Sequence, residues 1–188
     1  MRAIGLAGWS GAGKTTLLLR LIPELNRRGL SVSTLKHAHH AFEVDEPGKD
    51  SFEHRAAGAR EVLVGSERRW ALMHELREEA EPSLAALLRR LSPVDLVIVE
   101  GFKRSAHPKI EVHRAANGKP LLFRELANVR AIVADCPVPG VSVPVVALDD
   151  IETIAVQILA LAEPVAAVIA ELEGRRKPRA AGAAGRGS

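Results

Sequence analysis

The sequence predicts an α/β fold: a largely parallel sheet flanked by helices, with a β-hairpin extension. Three observations carry that prediction. Apolar stretches of strand length alternate with stretches of helical period along the chain, the pattern of a parallel sheet wrapped by helices. Residues 94–99 are almost continuously apolar, as in a strand buried on both faces. Residues 8–15 read Gly-Trp-Ser-Gly-Ala-Gly-Lys-Thr, which satisfies G-x-x-x-x-G-K-[ST] in full and makes the predicted sheet one of the P-loop NTPase type.

Each element follows from its local pattern. Residues 2–7 form a short strand that runs into the glycine loop. A helix follows, because Leu17, Leu18, Leu21, Ile22 and Leu25 fall on one face. Pro23 lies inside it, so a kink is expected there, and Gly29 after Arg27 and Arg28 stops it. Residues 30–36 form the second strand. Residues 36–58 are polar and rich in His, Asp and Glu, and are expected as a long loop ending in a short helix from about Ser51; loops of that length in compact domains are usually functional. Residues 61–64 and 69–73 form two strands with a turn at Gly65-Ser66. Leu84, Leu87, Leu88 and Leu91 give the next helix. Residues 109–113 and 120–123 flank Asn117-Gly118, a hairpin signal, which places the hairpin extension at about residues 107–124. Residues 131–134 and 143–147 form two more strands. Asp150 can cap a last helix that places Ile151, Ile154, Ile158 and Leu161 on one face.

The chain has 188 residues, the length of one domain with at most a small appendage. Hydrophobic residues make up 47% and aromatics only 3%, so the core must be built from Leu, Val, Ile and Ala. Residues 174–188 carry Arg175, Arg176, Lys177, Arg179 and Arg186 and no acid, so the formal charge of +3 becomes −2 for residues 1–173. The domain is therefore 1–173, followed by a basic tail expected to be disordered. The globular part is not basic, so no specific nucleic-acid partner is expected. No signal peptide precedes the first strand, and no apolar run approaches the roughly 20 residues of a membrane span. The single Cys136 cannot form an intrachain disulfide, in keeping with a reducing compartment. The expected location is the cytoplasm.

The phosphate-loop motif dictates its own chemistry. Backbone N–H groups of Ser10, Gly11, Ala12 and Gly13 would form a nest for phosphate oxygens, and the following helix adds its positive end. Lys14 would reach the β- and γ-phosphates, Thr15 would hold Mg²⁺, and Thr16 would touch the α-phosphate. A phosphate-bound Mg²⁺ also needs a carboxylate at the carboxyl end of a buried strand. Glu100 stands there, while Asp95 stands at the far end of the same strand.

A third cluster comprises His37, His39, His40, Asp45, Asp50 and His54. Three readings stand: a metal site suited to Zn²⁺ or Ni²⁺, a switch-like loop meeting the γ-phosphate, Mg²⁺ or a second substrate, or a polar surface loop. Its position after the second strand, at the carboxyl end of the sheet, favours the substrate reading. Lys36, Lys49, Lys103, Arg104 and Lys109 would add positive charge around a phosphate-bearing ligand. No Asn-Lys-x-Asp is present to recognise guanine. Asp135, after the strand at 131–134, is the candidate for the base contact; the alternative is a turn residue before Pro137.

Together the motifs GWSGAGKTTLL, LKHAHHAFEVDEPGKDSFEHRAAGA, VDLVIVEGFK and HPKIEVHR resemble those of the molybdopterin-guanine dinucleotide biosynthesis protein B (MobB) family, over roughly residues 3–160. The stretch 36–59 is the most specific. The resemblance implies a dimeric α/β protein that binds GTP and Mg²⁺ and hydrolyses GTP slowly at most. It implies a supporting role beside the nucleotidyltransferase that attaches GMP to molybdopterin. It implies that Gly11 to Thr16 hold phosphates and that Thr15, with Asp45 or Glu100, serves Mg²⁺. Two other functions on the same scaffold compete: a small-molecule kinase with Asp45 or Asp50 as base, and a metal-delivering GTPase using His37, His39 and His40.

Overall fold

A computed structural model describes residues 1–38 and 42–174. His39, His40 and the basic tail lie outside these residues. The strands are β1 (Arg2–Ala7), β2 (Val32–Lys36), β3 (Glu61–Gly65), β4 (Trp70–His74), β5 (Leu96–Glu100), β6 (Lys109–His113), β7 (Val129–Ala134), β8 (Val145–Ala147) and β9 (Glu163–Pro164). The helices are α1 (Lys14–Arg27), α2 (Asp50–Ala56), α3 (Leu84–Leu88), α4 (Ile151–Leu161) and α5 (Val165–Gly174).

The chain forms two compact units: residues 1–37 with residues from Leu84 onward, and residues 38–83. The sequence reads as a single domain over 1–173, and both units lie within that span but for the chain's last residues. Residues 36–58 carry few apolar side chains, and among the described residues of the second unit Val62 is the one buried apolar residue, 8% exposed.

The first unit is a seven-stranded sheet in the order β2-β5-β1-β6-β7-β8, with β9 pairing antiparallel to β1. The six strands of the main path run parallel. On one face, α1 and α4 cover β1, β5, β6 and β7. Leu17, Leu21 and Leu25 of α1 and Ile154 and Ile158 of α4 meet Ile4, Leu6, Ile98 and Ile110 there. Each fully buried Leu or Ile stabilises by about 1.5–3 kcal/mol. On the other face, α3 and α5 pack Leu84, Leu88, Val165 and Val168 onto Ala3, Val97 and Val99. Asp150 caps α4 as expected, its carboxylate accepting from Thr153 N at 3.0 Å. Helix α1 runs on through Pro23. Helix α5 has no counterpart in the sequence reading, because the apolar run through Pro164 does not show where one helix stops and the next begins.

The expected hairpin at 107–124 is not formed. Residues 109–113 are β6, a central strand between β1 and β7 and parallel to both. Asn117 ends a short 3₁₀ turn closed by left-handed Gly118, and Leu122–Arg124 is a second 3₁₀ turn. Lys109 and Glu111 of β6 are fully buried. Lys109 Nζ donates to the carbonyls of Ser105 and His107. Glu111 accepts from Leu122 N and Phe123 N, both at 2.7 Å. Burial of a charged group is tolerated when it is hydrogen-bonded in this way.

The second unit contains α2 and the antiparallel pair β3–β4. That pair is a hairpin, on the strands read from the sequence with their turn beyond Gly65. Arg55 of α2 ties the unit together, with its guanidinium on Asp45 at 2.7 Å, Glu43 at 2.5 Å and Glu75 at 2.8 Å.

Candidate functional site

The phosphate loop joins β1 to α1 at the carboxyl edge of the parallel sheet. Gly8 has φ 151°, and a Cβ there would lie 2.6 Å from the carbonyl oxygen of Val112 on β6. Gly13, the residue preceding α1, has φ 89°. Only glycine takes both positions without strain. Lys14 opens α1, and its ammonium donates to the carbonyls of Gly8 at 3.1 Å and Trp9 at 3.0 Å. Burial lowers the Lys14 pKa, Glu100 opposes that shift, and Lys103 and Lys36 add to it. Four charged groups thus surround the loop.

Glu100 ends β5, in register with Leu6 of β1 and Lys36 of β2. The residue after β2 is also held, with His37 N donating to Glu100 O at 2.9 Å. The His37 ring packs on Phe102 at 4.6 Å between centroids. So β2 and β5 deliver His37, Lys36 and Glu100 to the edge where the loop stands.

Asp45, Asp50 and His54 belong to the second unit, where Asp45 is ion-paired with Arg55 and Asp50 opens α2. Among the described residues no group of three or more His, Cys, Asp or Glu side chains is placed to hold a metal ion. Lys109 does not join the loop's positive charge; its ammonium is spent beneath the sheet surface on Ser105 and His107.

Asp135 follows β7 and lines a cleft of about 540 Å³ with Arg20, Arg114, Cys136 and Asp149, among others. Its Oδ1 accepts from Ala115 N at 2.8 Å. The cleft lies at the carboxyl ends of β7 and β8, the edge on which open α/β sheets bind ligands.

The segment after β6 completes the site, and the sequence reading missed it. Asn117 Nδ2 donates to Ser10 O at 3.0 Å. Trp9 Nε1 donates to Pro120 O at 2.8 Å, and Lys103 lies over the Trp9 ring at 4.7 Å. Asn117-Gly118 announced a turn, but no local pattern says that the turn packs on a loop more than 100 residues earlier.

The model of the family "Molybdopterin guanine dinucleotide synthesis protein B" matches residues 3–135 of this chain. The chain belongs to the MobB family. It is 43% identical over 155 residues to the molybdopterin-guanine dinucleotide biosynthesis adapter protein of Escherichia coli K12, covering 81% of this chain and 88% of that protein. It is 45% identical over 118 residues to the adapter protein of that name from Haemophilus influenzae, covering 63% and 66%. A crystal structure of molybdopterin-guanine biosynthesis protein B superposes with a TM-score of 0.68 at 31% identity, over 85% of this chain and 99% of that one. The MobB match takes in the phosphate loop, Glu100 and Asp135.

Proposed function

We propose that this chain is a GTP-binding adapter in molybdenum cofactor biosynthesis that assists the attachment of GMP to molybdopterin. Its family and its two adapter relatives support the pathway. The nucleotide reading rests on one observation: a complete phosphate loop, its glycines in the required conformations, opening onto α1 beside Glu100.

In this reading the loop N–H groups from Ser10 to Gly13 and the positive end of α1 hold the phosphates. Lys14 leaves the carbonyls of Gly8 and Trp9 for the β- and γ-phosphate oxygens. Thr15 and Glu100 are the groups that would hold Mg²⁺, which supplies charge neutralisation at the phosphates. Asp45 is the weaker candidate, because Arg55 already engages its carboxylate. The cleft takes the base, with Asp135 facing the guanine edge. Slow hydrolysis without a partner fits an accessory role, and turnover above about 1 s⁻¹, within the ordinary enzyme range, is incompatible with it. The partner is the guanylyltransferase of the pathway, the assembly is a homodimer, and the compartment is the cytoplasm. Among the described residues no helix is long and apolar enough to cross a membrane.

Titration with Mg-GTP and Mg-ATP, followed by tryptophan fluorescence, tests the reading. Trp9 sits in the loop and is bonded to Pro120, so its environment changes when phosphates enter; exposed Trp70 supplies a constant background. Preference for GTP is the expected result. Preference for ATP would point instead to a small-molecule kinase.

A further inference from the structure

Arg114 is the first residue beyond β6, and no motif assigned it a role. Its Nε lies 3.3 Å, its Cζ 3.5 Å and its Cδ 3.8 Å from the point where a Cβ on Gly13 would stand. The guanidinium therefore lies against the residue that precedes α1. Toward the other side Arg114 lines the cleft with Asp135, and its Nε is 4.0 Å from Asp135 Oδ2. That is the outer limit of an ion pair. The side chain remains 44% exposed.

Stability alone does not explain this placement. A cation at a helix N-terminus meets the positive end of the helix dipole, which disfavours it. Lys14 already stands there, with Lys36 and Lys103 close enough to shift its pKa. A further positive charge at this point is favourable when an anion lies between the charges. The nest and Lys14 account for the outer phosphates, Thr16 is the loop's own candidate for the α-phosphate, and the Asp135 cleft accounts for the base; no cation is yet assigned to the α-phosphate. Arg114 touches both the loop and the cleft, where the phosphate chain must pass from one to the other.

We infer that Arg114 binds the α-phosphate of the nucleotide, joining the phosphate loop to the base cleft. This rests on the nucleotide reading above. Arginine suits the position, because its planar fork can hold a phosphate with two parallel hydrogen bonds.

Calorimetric titration of the full chain with Mg-GTP, Mg-GDP, GMP and Mg-ATP tests it, comparing wild type, Arg114→Ala, Arg114→Lys and Lys14→Ala. Arg114→Ala should weaken GTP, GDP and GMP by one common factor of about tenfold or more, the worth of hydrogen bonds to a charged group. The GTP-over-ATP ratio should stay fixed. Arg114→Lys should recover part of the loss, and the thermal midpoint of the ligand-free chain should not move. Unchanged affinity overturns the inference. So does a loss confined to GTP, which would mean a γ-phosphate contact. A collapse of the GTP-over-ATP ratio also overturns it, since Arg114 would then act through Asp135 on the base. If wild type binds no nucleotide, or Lys14→Ala binds as well as wild type, the nucleotide reading itself fails and the inference with it.

Discussion

At the residue scale, two positions carry separable predictions. Lys14 is half-buried, and its ammonium bridges the Gly8 and Trp9 carbonyls. Lys14→Ala should abolish triphosphate binding while the fold persists, because the residue contributes no apolar packing to any of the three core clusters. Titration of the variant with Mg-GTP, alongside its circular dichroism, checks both halves of that statement. Gly5 shows the reverse case. A Cβ there would lie 2.4 Å from His107 Nε2 and 2.8 Å from Lys109 Cγ. Gly5→Ala should therefore destabilise by about 1–3 kcal/mol through overpacking, measured by denaturant unfolding, although Gly5 lies outside the phosphate loop. The loop's conformation was legible in the sequence because its pattern is local: eight consecutive residues place the positive-φ glycines and the lysine that opens α1. Gly5 carried no such signal, since the group that requires it arrives on another strand.

At the scale of elements, β6 explains where sequence reading ran out. The Asn117-Gly118 turn signal after it pointed to a hairpin, but β6 is a central parallel strand whose polar side chains are buried and satisfied by the loops that flank it. Glu111 organises the 3₁₀ turn at Leu122, and Lys109 anchors the loop between β5 and β6. Burial drops the Lys109 pKa from the ordinary 10.5 to about 7, with Glu171 opposing the shift. The stability consequence follows from linkage. Below about pH 7 the lysine is charged in both folded and unfolded chains, and the folded chain bears the full cost of the buried charge. Between about pH 7 and 10.5 the unfolded chain binds the extra proton, so stability should rise with pH, by on the order of a few kcal/mol at most. Unfolding free energies at pH 6, 7.5 and 9 should show this rise in wild type. Lys109→Met should remove that part of the pH dependence. A slope that is the same in both proteins would mean that Lys109 keeps an ordinary pKa.

At the scale of the whole molecule, alternation of apolar strands and helices sufficed to predict the parallel sheet, because every core element of the first unit has an apolar face of its own. The second unit was harder to foresee, since polar and ionic contacts around Arg55 hold much of it. Its hairpin has an outer face on which Leu63 pairs with Leu72 and Trp70 stands opposite Gly65. These three apolar side chains are 67%, 51% and 69% exposed. A lone two-stranded sheet is marginally stable in water, and three large exposed apolar groups on one of its faces favour burial against another surface. A second copy of the same face is the simplest cover, because an isologous contact would bring Leu63, Trp70 and Leu72 of each chain together about a two-fold axis. The homodimer proposed above would then close through this hairpin. Light scattering should find a dimer for wild type and a monomer for the double variant Leu63→Ser, Trp70→Asp. GTP affinity per chain should be unchanged in that variant, because the phosphate loop, Glu100 and the Asp135 cleft all lie in the first unit. A dimer that survives the double substitution would move the interface elsewhere, and a monomeric wild type would remove it altogether.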